Sequence, residues 1–203
     1  MEFWFEFAST YSYLAAMRVE QVAAERGGAV DWRPFLLGPL FKKQGWNDSP
    51  YNLNPARGRY MWRDIERHCE RYGLPFRKPS VFPRRSILAA RVACLGHGRP
   101  WLPAFARAVF VANFGDDRDI EDPGILMDAL RRSGAAADEA GVARLLERAT
   151  AQETKDLLRA ETDRAWGLGL FGAPTFVVAG ELFWGNDRLE EALDWQRRAA
   201  ARG

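Results

Sequence analysis

Three short stretches of this chain hold residue types that could do chemistry together. The first is Ser9-Thr10-Tyr11-Ser12, which stands at the head of a helical pattern. A serine placed there can cap the helix with its hydroxyl. The same place offers free N–H groups and the positive end of the helix dipole, which favour an anion. The spacing Ser9-x-x-Ser12 is that of a Cys-x-x-Cys redox turn with both sulfurs replaced by oxygen. Disulfide exchange at this turn is therefore excluded, and any thiol held there must come from another molecule. No base stands beside Ser9 to make it a nucleophile. Spacing alone does not separate the cap from the anion site, and Ser12 reads as structural.

The second stretch is Gly172-Ala173-Pro174-Thr175, just before an apolar run. A proline at a strand start is ordinarily trans. The third, Asn186-Asp187, opens the last helical pattern, and Glu190 stands three residues after Asp187 as a capping-box partner. Asn54-Pro55 forms a natural N-cap and N1 pair. Lys42, Lys43, Arg57 and Arg85 are candidate partners for a substrate carboxylate, since guanidinium groups bind carboxylates in bidentate fashion. Each also reads as a solvated surface charge. Trp184 reads as core or as the floor of a pocket. His68, His97, Cys69 and Cys94 match no zinc spacing, so no metal is expected. The run 167–172 lacks the order of a dinucleotide fingerprint.

These residues need elements to position them. Glu2 to Phe7 reads as a buried strand, Tyr13 to Arg26 as a helix ended by Gly27-Gly28, and Val30 to Phe35 as a second strand. That order favours a parallel pair with a right-handed crossover. Residues 38–55 are rich in loop signals, with a short helical pattern at 40–44. Helical patterns then follow at 56–72, 86–96, 101–113, 123–133, 139–148 and 150–168, punctuated by prolines. Thr175 to Ala179 and Leu182 to Trp184 read as a hairpin turning at Gly180-Glu181, and Asp187 to Ala200 as the closing helix.

The 203 residues suffice for one substantial core or for a small α/β domain plus a helical one. Lys and Arg total 29 against 27 for Asp and Glu, a balance that argues against a nucleic-acid partner. Eight Trp and thirteen Phe suit a deep apolar core, an apolar ligand pocket or an oligomer interface. No apolar run approaches the roughly 18 residues of a membrane helix. Met1-Glu2 leads into the first strand without a basic n-region, so a cytoplasmic protein with reduced cysteines is expected.

With these residues in place, the chain resembles the 2-hydroxychromene-2-carboxylate isomerase family. That family is related to kappa-class glutathione transferases and to bacterial disulfide oxidoreductases of the DsbA type. The resemblance rests on Phe5 to Leu14, on Asn54-Pro55-Ala56-Arg57 with Tyr60 and Asp64, on Gly172 to Phe176, and on Trp184 to Arg188. The motifs keep the family's order and span nearly the whole chain. Thr10 stands where the family commonly has Pro, and Arg85 where many relatives have Asn.

The resemblance implies an α/β, thioredoxin-like domain made of 1–38 and 170–203, with a large helical insertion over 39–169. It implies glutathione as cofactor, its sulfur beside the Ser9 hydroxyl, and a cis bond at Ala173–Pro174 facing Ser9. The main chain of Ala173 would pair with the cysteinyl segment, and Trp184 would border the same pocket. The helix start at Asn186 and Asp187 would receive the γ-glutamyl group. Lys43, Asn54, Arg57 and Arg85 would face an aromatic carboxylate substrate. The implied activity interconverts 2-hydroxychromene-2-carboxylate and trans-o-hydroxybenzylidenepyruvate, or a related acid, in the breakdown of fused aromatic compounds, by a homodimeric enzyme. A kappa-like glutathione transferase and a non-catalytic thioredoxin-like binding protein are the alternative readings.

Overall fold

A computed structural model describes residues 1–201. Strands β1 (Glu2–Phe5), β2 (Asp31–Pro34), β3 (Thr175–Val178) and β4 (Glu181–Trp184) form a four-stranded mixed sheet in the order β2-β1-β3-β4. β1 and β2 are parallel, with Phe3 opposite Trp32, and are joined through α1 (Thr10–Ala16) and α2 (Val19–Glu25). β3 runs antiparallel to β1, with Phe176 opposite Phe3, and β4 antiparallel to β3. Between β2 and β3 come α3 (Leu37–Lys43), α4 (Pro50–Leu53), α5 (Pro55–Tyr72), α6 (Ile87–Leu95), α7 (Leu102–Phe114), α8 (Pro123–Ser133), α9 (Glu139–Thr150) and α10 (Gln152–Gly167). A 3-10 turn (Asn186–Arg188) leads into α11 (Leu189–Ala200). This is the expected α/β class: a thioredoxin-like sheet with a large helical insertion.

β1 is central in the sheet, which is why its residues do not alternate in polarity. Phe3, Trp4 and Phe5 are all fully buried. On one face Phe3 stacks on Phe176 at 5.4 Å, and Phe5 and Phe7 carry the aromatic cluster on to Phe105 and Phe110 of α7. On the other face Trp4 packs with Phe35, Leu40, Ala165, Leu170 and Val177. Fully burying one such side chain contributes about 1.5–3 kcal/mol. The inserted helices thus complete the core of the sheet: α7 lies on α1, and α6 and α10 lie against β2.

Four local expectations are corrected. β1 stops at Phe5 because Glu6 turns the chain: the Glu6 carbonyl accepts the Ser9 N–H at 3.0 Å. The single helix expected over 13–26 starts earlier, at Thr10, and breaks at Met17-Arg18, where the sequence has neither Gly nor Pro. The hairpin turns at Ala179-Gly180 instead of Gly180-Glu181, with φ of 50° and 82°. Two positive φ values match the twist of the flanking strands, and alanine seldom advertises such a position. The capping box at Asp187 is absent, and α11 begins two residues later, at Leu189, without a side-chain cap.

Candidate functional site

Ser9 sits where β1 hands over to α1. Its backbone is extended, with φ −87° and ψ 118°, and its hydroxyl accepts the Ser12 N–H at 3.2 Å, capping α1. The same hydroxyl donates its proton to the carbonyl of Ala173 at 2.9 Å. Ser9 is only 9 % exposed, so one buried oxygen joins residues 164 positions apart in the sequence. The Ala173–Pro174 bond is cis, and a second cis bond precedes Pro83. The 172–175 loop is held on both sides: Thr175 Oγ1 donates to the Gly172 carbonyl at 2.9 Å, and the Gly185 N–H to that of Pro174 at 3.0 Å. The N–H of Ala173 has no hydrogen-bond partner among the described residues.

Trp184 borders this loop. Its indole lies so close to Gly172 that a Cβ there would collide with the ring, which explains the glycine. Trp184 is 50 % exposed and meets Phe171 edge-on at 4.9 Å, so the reading of Trp184 as core is corrected. Asn186 and Asp187, expected as a pair, face opposite ways. Asn186 is 3 % exposed; its Oδ1 accepts from Arg18 at 3.2 Å and its Nδ2 points to the Tyr72 hydroxyl at 3.5 Å. The Arg18 guanidinium lies over the Tyr72 ring and pairs with Glu190, which explains the missing capping box. Asp187 is exposed, with the Arg188 guanidinium at 3.8 Å.

α5 packs against α1, and α4 against α5. Asn54 caps α5 by accepting the Arg57 N–H at 3.0 Å, which commits its side chain to the backbone. Tyr11 donates its hydroxyl to Asp64 of α5 at 2.9 Å, and its ring lies 6.4 Å from that of Tyr51. Burial pushes the Tyr51 phenol up, while the Arg57 guanidinium pulls it back. Arg57 has no ion-pair partner among the described residues. Tyr51 carried no signal in the sequence beyond its nearness to Asn54.

Of the remaining basic candidates, Lys43 is engaged and Arg85 is largely solvated. Lys43 pairs with Asp163 at 3.3 Å and lies over the Trp166 ring, which ties it to α10. The Arg85 side chain is 80 % exposed, with Glu121 at 3.9 Å. Neither touches the Ser9 turn among the described residues. Both cysteines are free, and burial raises Cys69 to about 11 and Cys94 to about 12, so both remain protonated thiols. His97 lies 3.0 Å from Asp31, and His68 3.7 Å from Asp64.

A family model described as a DSBA-like thioredoxin domain matches residues 1–194. The chain belongs to that family. Within it, a protein named 2-hydroxychromene-2-carboxylate isomerase from Sphingobium xenophagum is 29% identical over 191 residues, covering 94% of each chain. Human glutathione S-transferase kappa 1 is 27% identical over 169 residues, covering 78% of this chain and 73% of that protein. The solved structure of a 2-hydroxychromene-2-carboxylate isomerase superposes with a TM-score of 0.81 at 23% identity, covering 99% of this chain and 96% of that one. This DsbA-like protein has serine at both ends of its Ser9-x-x-Ser12 turn, and its thiols lie elsewhere, in α5 and α6.

Proposed function

We propose that this protein is a glutathione-dependent isomerase. Its substrate is 2-hydroxychromene-2-carboxylate, interconverted with trans-o-hydroxybenzylidenepyruvate, or a related aromatic acid. The observation that carries the reading is the Ser9 hydroxyl, capping α1 while touching Ala173. It stands in a frame shared with relatives named for this isomerisation and for glutathione transfer.

The residues present suit glutathione. The first turn of α1 offers the positive end of a helix to a sulfur anion, and the unpaired Ala173 N–H offers a peptide donor. The exposed Asp187 carboxylate offers a partner for an ammonium group. When bound, glutathione would supply an ionised thiol that adds reversibly to the conjugated system of the substrate. Ser9 lowers the cost of that ionisation by giving the sulfur a hydrogen bond. To do so its hydroxyl must leave the Ala173 carbonyl, and a peptide strand laid along Ala173 provides a replacement donor for that carbonyl. Arg57, without an ion-pair partner among the described residues, binds the substrate carboxylate, and the phenols of Tyr11 and Tyr51 line the space beside it. Lys43, Asn54 and Arg85 contribute from the rim. Trp184 and Phe171 present an apolar edge, and the protein works as a homodimer, which sedimentation would test.

The test is calorimetric titration with glutathione together with the ultraviolet absorbance of its thiolate, in the native protein and in Ser9→Ala. Binding with a thiolate band that fades in the variant supports the reading, and absence of binding overturns it. A kappa-like transferase would share the band. It differs in consuming one glutathione per turnover, whereas the isomerase returns it, so thiol counting after turnover separates the two.

A further inference from the structure

Glu6 lies beneath the Ser9 turn and has no part in the proposed reaction. Its side chain is 4 % exposed, and no basic group pairs with it among the described residues. Three donors converge on it. Oε1 accepts the Ala8 N–H at 3.2 Å and lies 2.5 Å from the Ser86 hydroxyl, and Oε2 accepts the Leu37 N–H at 3.1 Å. Its main chain is tied to the same turn, through the Ser12 hydroxyl at 3.4 Å and the Ser9 N–H at 3.0 Å.

The three donors come from segments far apart in sequence, and each runs into a candidate site residue. Ala8 precedes Ser9, Ser86 follows Arg85, and Leu37 opens α3, which ends in Lys43. A carboxyl buried without a counter-ion opposes stability, so packing alone gives no reason for it. Its geometry does. Two main-chain N–H groups meet opposite oxygens, and only a group that accepts at both ends satisfies them. An amide would turn an NH₂ towards one of them. The Ser86 hydroxyl suits either protonation state, since it donates to a carboxylate and accepts from a carboxylic acid.

We propose that Glu6 is the positioning residue of the site: one carboxyl holds the Ser9 turn and the Arg85 loop in register, so that thiol ionisation and substrate binding are set together. This inference rests on the glutathione reading. Two variants of the full chain separate its two arms. Glu6→Gln disturbs both, and is expected to lower the bound-thiolate band about tenfold and to raise KM for the aromatic acid. Ser86→Ala frees only the Arg85 side, and is expected to raise KM about threefold to tenfold while the thiolate band is retained. A uniform loss of both signals in Ser86→Ala would mark Glu6 as mere packing and overturn the proposal. So would wild-type values of band and KM in Glu6→Gln. If Glu6→Gln does not fold, an unchanged KM in Ser86→Ala overturns it alone. A native protein without the thiolate band defeats the glutathione reading and this inference with it. A native protein with the band and two silent variants defeats this inference only.

Discussion

Two helix starts in this molecule carry residues of capping type, and the fold uses them in opposite ways. At α1 the Ser9 hydroxyl caps the backbone and reaches across to Ala173. At the turn before α11 the Asn186 amide ignores the backbone and faces inward to Arg18 and Tyr72. The difference lies in what is buried nearby. Arg18 is largely enclosed and needs partners for its charge; Asn186, Glu190 and the Tyr72 ring supply them. Among the described residues no buried cation competes for Ser9, so its oxygen remains available to the helix and to a ligand. A capping residue serves its helix only where the surrounding fold does not claim it first.

The contrast predicts unequal consequences. Replacing Ser9 by Ala should have the largest effect, a loss on the order of 100-fold in kcat/KM through the missing donor. It should also cost about 1 kcal/mol of stability through the missing cap. Steady-state rates and thermal melting measure the two separately; an active variant would remove Ser9 from the chemistry. Arg57→Ala should raise KM for the aromatic acid about tenfold or more, as loss of a charge-assisted hydrogen bond implies, with melting unchanged. If KM holds, the carboxylate is anchored elsewhere, and Arg85 becomes the next residue to test.

At the second helix start, stability and binding should part company. Asn186→Ala leaves Arg18 short of a partner and should cost about 1–3 kcal/mol in denaturant unfolding. Asp187→Ala should stay within about 0.5 kcal/mol of the native protein and instead weaken glutathione binding severalfold by calorimetry. Equal effects of the two on binding would erase the distinction between the inward and the outward residue.

The smallest effect concerns pH, on the Ser9 side. Burial raises the Glu6 carboxyl above its ordinary value, more than its hydrogen bonds lower it. Folding therefore favours its protonated form. That contribution is fully present below the unfolded carboxylate range, near about pH 4, and is lost as pH climbs through the raised value. Glu6→Gln does not titrate, so the melting advantage of the native protein over this variant should shrink with rising pH. A gap that stays constant across that window would show that Glu6 keeps its ordinary pKa.

Much of the architecture is legible because its signals are local. The helical spacing from 56 onward and the prolines at 55, 100 and 123 announce α5, α7 and α8 within a residue or so, and the apolar run at residues 3–5 marks β1, though not its end. The Ser9 turn and the Pro174 loop stand out in the same way, and so does the absence of a thiol between them. The features that went unread have no local mark. Nothing in Met17-Arg18 announces a break, nothing in Ala179 a positive φ, and Glu6 looks like one more residue of a strand.

Apolar spacing and punctuation thus settle where helices and strands lie, since those patterns act over a few neighbouring residues. Which partner each polar side chain takes is settled elsewhere. A hydrogen bond needs its partner within about 3 Å, and for Ser9, Glu6 and Asn186 those partners lie 164, 80 and 168 positions away along the chain. Folding alone brings them together.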